Sequence, residues 1–243
     1  DSAGFKYTEI QTSSFRIAVY YRIKSAGDFN TYIEGDGFAY VTPNKLSANP
    51  TPITPTGLML AISDPGDNVI YMARPCQYVN LRRAKYCTKN YWSSHRFAEE
   101  VISSYDQVLD QIEKSAKGTK FHLVGYSGGG AVAVLLAARR DDIKSIRTVA
   151  GYLDHVALNE EKGVAPLWGS LDPMKVAALL AGIPQVHYSG AKDRVIPSWV
   201  GKKFTKAVGD STCARSVTVD RVNHESGWKE FWQSESGRKP ACY

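Results

Sequence analysis

The segment that most constrains this chain is Phe121-His122-Leu123-Val124-Gly125-Tyr126-Ser127-Gly128-Gly129-Gly130-Ala131. An apolar run ends in Gly-x-Ser-x-Gly and continues into the apolar, helix-compatible residues 132–138. This pattern describes a strand, a sharp turn and a buried helix, with Ser127 at the apex. The turn brings the strand end close to the helix start, so only small residues fit two positions to either side, and Gly125 and Gly129 stand there. The apex backbone is strained, which pushes the serine hydroxyl out above the sheet. Ser127 also lies at a helix N-terminus, where outward N–H groups favour negative charge. A glycine-rich turn with an idle serine is the alternative, and the strand-to-helix setting favours a nucleophile.

The flanking sequence predicts what surrounds this turn. Residues 15–23 alternate, with Phe15, Ile17, Val19, Tyr21 and Ile23 on one side and Arg16 and Arg22 on the other. They read as a strand with one solvated face, antiparallel to residues 6–10. Residues 29–37 read as a short strand ending in Glu34-Gly35-Asp36-Gly37. Four prolines in residues 43–57 mark an extended surface connection. Residues 57–62 read as a short helix or extended piece. Residues 68–73 read as a buried parallel strand leading into Arg74-Pro75-Cys76-Gln77-Tyr78.

Residues 92–115 predict a helix, with Phe97, Val101, Tyr105, Val108 and Ile112 as its stripe, Ser93 or Ser94 as N-cap and Gly118 as C-cap. Strands are predicted over 145–150, 185–189 and 216–222, and helices over 173–181, 198–208 and 228–233. Alternating strands and helices argue for an α/β fold, a mostly parallel central sheet flanked by helices, in a single domain spanning 1–243. Residues 152–183 differ in texture, with Gly163, Pro166, Gly169 and Pro173 around Trp168. They read as a small lid-like insertion, or as a crossover helix with a long lead-in loop.

In such sheets ligands sit beyond the carboxyl ends of the strands. That filter selects residues 35–37, 74–78, Ser127, 152–155, Asp193 and His224. A serine hydroxyl needs an adjacent base, and an imidazole base needs a carboxylate to fix its tautomer. Asp193 and His224 each follow a predicted strand and supply these roles in the order Ser127, Asp193, His224. His122 and His187 lie inside strands and read as core, and His95 lies in a first helical turn. His155 is the rival base, read as a pocket residue, and Asp154 is the rival acid.

These segments together resemble the α/β-hydrolase superfamily. Gly125-Tyr-Ser-Gly-Gly is similar to its nucleophile elbow, and Ser189-Gly-Ala-Lys-Asp193-Arg-Val-Ile-Pro197 to its acid loop. Asn223-His224 is similar to its histidine loop, and the order Ser, Asp, His is that superfamily's. The resemblance spans about residues 15 to 233. It implies a serine hydrolase of esterase, lipase or thioesterase type, working through an acyl-enzyme and needing no metal or cofactor. The alternatives are a peptidase or amidase on the same three residues, or a binding protein that keeps the fold without turnover.

The resemblance also implies two oxyanion donors. The first is the N–H of Gly128. The second comes from the loop after an early strand, often marked His-Gly. Here Glu34 stands where histidine is common, and the Asp36 N–H is the expected donor, with Gly37 next. A carboxylate beside an oxyanion is unfavourable, so the Asp36 side chain must turn away or find a cation, for which Arg74 is a candidate. Tyr126, Tyr152, His155, Leu167 and Trp168 are candidates to line an acyl or aromatic pocket, with plain packing as the alternative.

Composition narrows the context. The 243 residues are 43% hydrophobic and 22% charged, enough for a full core and unlike a disordered chain. No window is apolar enough for a membrane span. The start, Asp1-Ser2-Ala3-Gly4, reads as that of a processed or trimmed chain. Net charge is +6 and the basic residues are spread out. Their densest run, Arg82-Arg83-Ala84-Lys85, reads as a solvated loop, or else as attraction to an anionic envelope surface. No nucleic-acid motif accompanies the charge. The expected partner is a small-molecule or lipid ester.

Four cysteines suggest Cys76–Cys87 as a local clip and Cys213–Cys242 as a tie for the tail, with free buried thiols as the alternative. No Cys-x2-Cys pair favours zinc. Two disulfides would imply a periplasmic or secreted location.

Overall fold

The computed structural model describes residues 3–209 and 212–243. Strands β1 (Lys6–Gln11) and β2 (Arg16–Arg22) pair antiparallel. β3 (Phe29–Ile33) follows, then a small hairpin of β4 (Tyr40–Thr42) and β5 (Lys45–Leu46), helix α1 (Thr56–Ile62) and β6 (Val69–Met72). The second half runs through α2 (Glu99–Ser115), β7 (Phe121–Tyr126), α3 (Gly128–Ala137), β8 (Ile143–Val149) and α4 (His155–Lys162). A 3₁₀ segment Pro173–Leu180, β9 (Gln185–Gly190), α5 (Ser198–Val208), β10 (Ala214–Val219) and α6 (Trp228–Glu235) complete it.

The central sheet has the order β1-β2-β6-β3-β7-β8-β9-β10. β6 pairs antiparallel with β2 and parallel with β3, and every pairing from there to β10 is parallel. Helices α1 and α6 pack together over one face, while α2, α3, α5 and the segment Pro173–Leu180 cover the other. Central strands buried on both faces need no alternation, and all five residues of β3 are buried. Helix α3 is apolar all round and all ten of its residues are buried, since it lies between the sheet and its neighbouring helices. Among the described residues no helix is long and apolar enough to cross a membrane.

Several expected boundaries move, for physical reasons. Helix α2 begins at Glu99, not at residue 92. The Phe97 N–H is taken by Ser170 Oγ at 3.1 Å and Arg96 Nε by the Ser93 carbonyl at 2.8 Å, so residues 93–98 form a braced turn. No side chain caps α2 at Ala98, and Glu99 and Glu100 supply the negative charge its N-terminus favours. The helix ends at Ser115 with Ala116 as its C-cap, and Gly118 at φ +78° lies two residues beyond the cap. Strand β2 has no fully solvated face, because Ala18 joins the core beneath α1 and α6. The last strand ends at Val219, opposite Gly190, which frees residues 220–227 as a loop. Disulfides join Cys76 to Cys87 and Cys213 to Cys242. Arg82, Arg83 and Lys85 are exposed in a turn between the first pair.

Candidate active site

The turn after β7 forms as its sequence requires. Ser127 takes φ 50° and ψ −120°, a conformation a side chain rarely adopts. A Cβ at Gly125 would overlap the Gly129 carbonyl, so the strand and helix approach this closely only without one. Ser127 Oγ lies 3.1 Å from His224 Nε2. His224 Nδ1 lies 2.9 Å from Asp193 Oδ2. The other oxygen, Asp193 Oδ1, accepts the N–H groups of Val195 and Ile196, each at 2.8 Å. The Asp193 side chain is fully buried, while His224 keeps partial exposure.

The His224 backbone is held as firmly as its ring. Its carbonyl accepts Tyr126 Oη at 2.9 Å and Trp228 Nε1 at 3.0 Å. Tyr126, a candidate pocket residue by sequence, therefore has its hydroxyl turned to the histidine loop. Asp154, the rival acid, instead caps α4 by accepting the Ala157 N–H and pairs with Lys203 Nζ at 2.6 Å. His122 and His187 are within strands, bonded to Ser145 Oγ and Thr148 Oγ1, and burial depresses both pKa values.

The loop after β3 reaches the elbow from the other side. Glu34 is buried, and its carboxylate accepts the N–H groups of Gly35, Gly57 and Leu58 and the hydroxyl of Tyr71 at 2.9–3.2 Å. Burial raises its pKa, against the lowering effect of these bonds. It thereby caps α1, whose own N-cap position, Pro55, offers no side-chain bond. Asp36 pairs with Arg74 Nη1 at 2.9 Å and Arg96 Nη1 at 2.6 Å. Burial would raise the Asp36 carboxyl, but the charges of Arg96 and Arg74 outweigh it and hold it below the usual carboxylate range. Gly128, as the first residue of α3, has no carbonyl one turn back to accept its N–H. No acceptor engages the Asp36 N–H among the described residues.

No protein-family model matches the sequence, and no curated protein matches it. Solved structures are similar over almost the whole chain. Est1E from Butyrivibrio proteoclasticus, with ferulic acid bound, matches 94% of this chain and 96% of its own at a TM-score of 0.68 and 14% identity. An α/β serine hydrolase without lid from Xanthomonas campestris matches 96% and 91% at a TM-score of 0.61 and 10% identity. The chain has the α/β-hydrolase fold. A puromycin-hydrolysing peptidase from Mycobacterium tuberculosis, matching 98% of this chain and 40% of its own at a TM-score of 0.65 and 13% identity, shares it.

Within this α/β-hydrolase fold, the other candidate pocket residues follow β8 in the chain. The Tyr152 N–H donates to the Ser127 carbonyl at 3.0 Å, and its hydroxyl donates to Asn159. Burial pushes the Tyr152 hydroxyl up to about 12. Its ring meets Phe97 and His155 edge to face. His155 is buried, with Nε2 bonded to the Leu171 carbonyl and Nδ1 unpartnered. Leu167 is buried, whereas Trp168 is 73% exposed and packs edge-on against His95. A groove of about 470 Å³ runs past His155, Leu167, Trp168 and Lys175, and neither Ser127 nor Tyr152 lines it. A second cavity, about 660 Å³, lies near Phe29, Thr119 and the end of α2, at the amino ends of the strands and away from Ser127.

Arg96 is missed by sequence reasoning, and Gln77 falls within the selected loop 74–78 without a role of its own. Arg96 read as part of a helix, and Gln77 as one residue of a loop. Gln77 Nε2 donates to the Gly35 carbonyl at 3.1 Å, and its Oε1 accepts the Arg74 N–H at 3.1 Å.

Proposed function

We propose that the chain is a serine hydrolase that cleaves an ester or thioester through an acyl-enzyme on Ser127. The observation that carries this is the unbroken bonded series from Ser127 Oγ through His224 to the buried carboxyl of Asp193. Ser127 Oγ attacks the substrate carbonyl as His224 Nε2 takes its proton. Asp193 keeps Nδ1 protonated, so that Nε2 is the free base. The N–H groups of Gly128 and Asp36 face the oxyanion of the tetrahedral intermediate. His224 then protonates the leaving group, and a water molecule, deprotonated by His224, releases the acyl group and restores Ser127.

Ester over amide is supported by two similar folds, Est1E, which holds ferulic acid, a carboxylic acid of the kind an ester releases on hydrolysis, and a membrane phospholipase A. The similar peptidase keeps an amidase as the second reading. In the proposed enzyme the chain works as one domain. The lid-like span 152–183 is the part that would cover the site, and within it Pro173–Leu180 packs on α3 and α5. Tyr152, whose N–H meets the Ser127 carbonyl, is the wall nearest the nucleophile, His155 and Trp168 are substrate contacts further out along the neighbouring groove, and Tyr126 supports His224. The two disulfides support a periplasmic or secreted site of action. The exposed Arg82, Arg83 and Lys85 offer contact to an anionic envelope surface.

A fluorophosphonate probe and a series of p-nitrophenyl esters of increasing chain length test this. The expected result is labelling and turnover by the wild type, both abolished in Ser127→Ala. A folded wild type that neither labels nor turns over any ester or aminoacyl amide would sink the proposal.

A further inference from the structure

Asp36 brings a carboxylate to the place where the proposed reaction develops negative charge. A Cβ built on Gly128 would overlap Asp36 Oδ1 and approach Arg74 Nη1 to 2.9 Å, so both side chains lie against the residue that follows the nucleophile. An unpaired carboxylate there would oppose an oxyanion. Two guanidiniums hold it instead, and the cluster of three carries one net positive charge. The neighbouring acids are already engaged, Glu34 at the start of α1 and Asp193 on His224.

The same cluster fixes the direction of a backbone donor. A trans peptide points its C=O and N–H in opposite directions. The peptide joining Gly35 to Asp36 has its carbonyl held by Gln77 Nε2 at 3.1 Å, so its N–H, that of Asp36, is aimed the other way. One residue on, the Asp36 side chain is clamped between Arg74 and Arg96. Those arginines are themselves braced. Arg74 Nη2 donates to the Arg96 carbonyl, Arg96 Nε donates to the Ser93 carbonyl, and the Arg74 guanidinium lies 5.3 Å from the Phe97 ring centre. The Arg74 N–H closes the circuit on Gln77 Oε1 at 3.1 Å.

We propose that Arg74 and Arg96 are positioning residues for the oxyanion donor. By clamping the Asp36 carboxylate they hold the Asp36 N–H on the reaction centre and reverse the sign of the charge beside it. This rests on the acyl-transfer function proposed above. It assigns to two arginines from separate loops, Arg74 buried and Arg96 half-buried, a role in the rate of the chemical step rather than in substrate binding.

The test compares wild type, Arg96→Gln, Arg96→Lys and Gln77→Met with a p-nitrophenyl ester, with a trifluoromethyl ketone as transition-state analogue, and by thermal melting. Arg96→Gln is expected to lower kcat about 10²-fold with KM within about threefold, and to weaken the ketone in parallel with kcat/KM. Arg96→Lys, which keeps the charge, is expected to recover about tenfold of that loss. Gln77→Met, which leaves the ion cluster intact, is expected to lower kcat with KM held. Folded variants that keep kcat within about threefold of wild type, or that lose activity through KM with the ketone unaffected, overturn the proposal. If Arg96→Gln does not fold, the lysine and Gln77 variants decide by the same criteria. Ser127-dependent turnover with unimpaired variants refutes only the positioning role, whereas turnover independent of Ser127 refutes the function beneath it.

Discussion

Replacing Asp193 by asparagine isolates the orienting role proposed for this acid with almost no change of shape. The structure determines which way the new amide must face. Asp193 Oδ1 accepts two backbone N–H groups at 2.8 Å, from Val195 and Ile196. An amide NH₂ turned toward them would bury donor against donor, which costs roughly 1–3 kcal/mol for each group left unsatisfied. The asparagine oxygen therefore stays on the backbone, and the NH₂ faces His224 Nδ1, 2.9 Å away in the native protein. Nδ1 must then accept, so the proton moves to Nε2, which now points a donor at Ser127 Oγ. A base that already carries its proton cannot take another from the serine. The expected loss is about 10⁴-fold in kcat, or about 5.5 kcal/mol of barrier. Steady-state hydrolysis of a p-nitrophenyl ester measures it, alongside melting to show that the fold persists. An Asp193→Asn enzyme retaining a tenth or more of wild-type kcat would refute the tautomer argument. A collapse of activity in Asp154→Asn alone would move the acid role to the carboxylate that now caps α4.

Two further outcomes follow from the structure. His187 is fully buried and neutral, with Thr148 and Gln185 as its bonding partners, and burial lowers its pKa to about 3. The unfolded chain binds the proton from about pH 6.5 downward and the folded chain does not, so stability falls as pH drops between those values, by roughly 1.4 kcal/mol per pH unit. Urea unfolding from pH 7.5 to 4.5 is expected to show a shallower slope in His187→Gln, and equal slopes would refute the assignment. Replacing Cys76 and Cys87 by serine removes a clip of sequence separation 11, which is expected to cost about 2–3 kcal/mol. Because Cys76 lies between Arg74 and Gln77, the same variant is expected to lose kcat at temperatures well below its melting point, and unchanged kcat there would show that the loop holds without the clip.

The half of the site built on Ser127 was legible because its determinants are local. A strand, a strained apex and a helix lie within one continuous segment, and Asp193 and His224 each mark the end of a strand. The other half is assembled across the chain. Arg96 reaches Asp36 from 60 residues away, out of a turn whose apolar spacing continues that of α2. Phe97 fits the helical stripe because it is buried, packed against Tyr152 and His155, and not because its backbone is helical. Periodicity reports which side chains are buried and is silent on which N–H groups are taken, and Ser170 takes that of Phe97. Residues 155–162 show the converse, a real helix whose exposed Val156 and mixed charges leave little periodic signal.

Glu34 carries the same lesson to the site itself. By sequence its position, where histidine is common in proteins of this fold, is a departure in the loop proposed to hold the oxyanion. The surroundings of the side chain explain it. Three backbone N–H groups and a tyrosine hydroxyl converge on it, four donors in all. A neutral imidazole offers one acceptor and a carboxylate about four. Helix α1 begins at this loop with no cap of its own, so what position 34 needs here is an acceptor for a helix start. The bonds that anchor Glu34 also fasten the loop one residue before Gly35, where Gln77 takes over, and two before Asp36, where Arg74 and Arg96 do. Each successive residue of the loop is thus held from a different element, and the backbone donor between them can be aimed without any histidine.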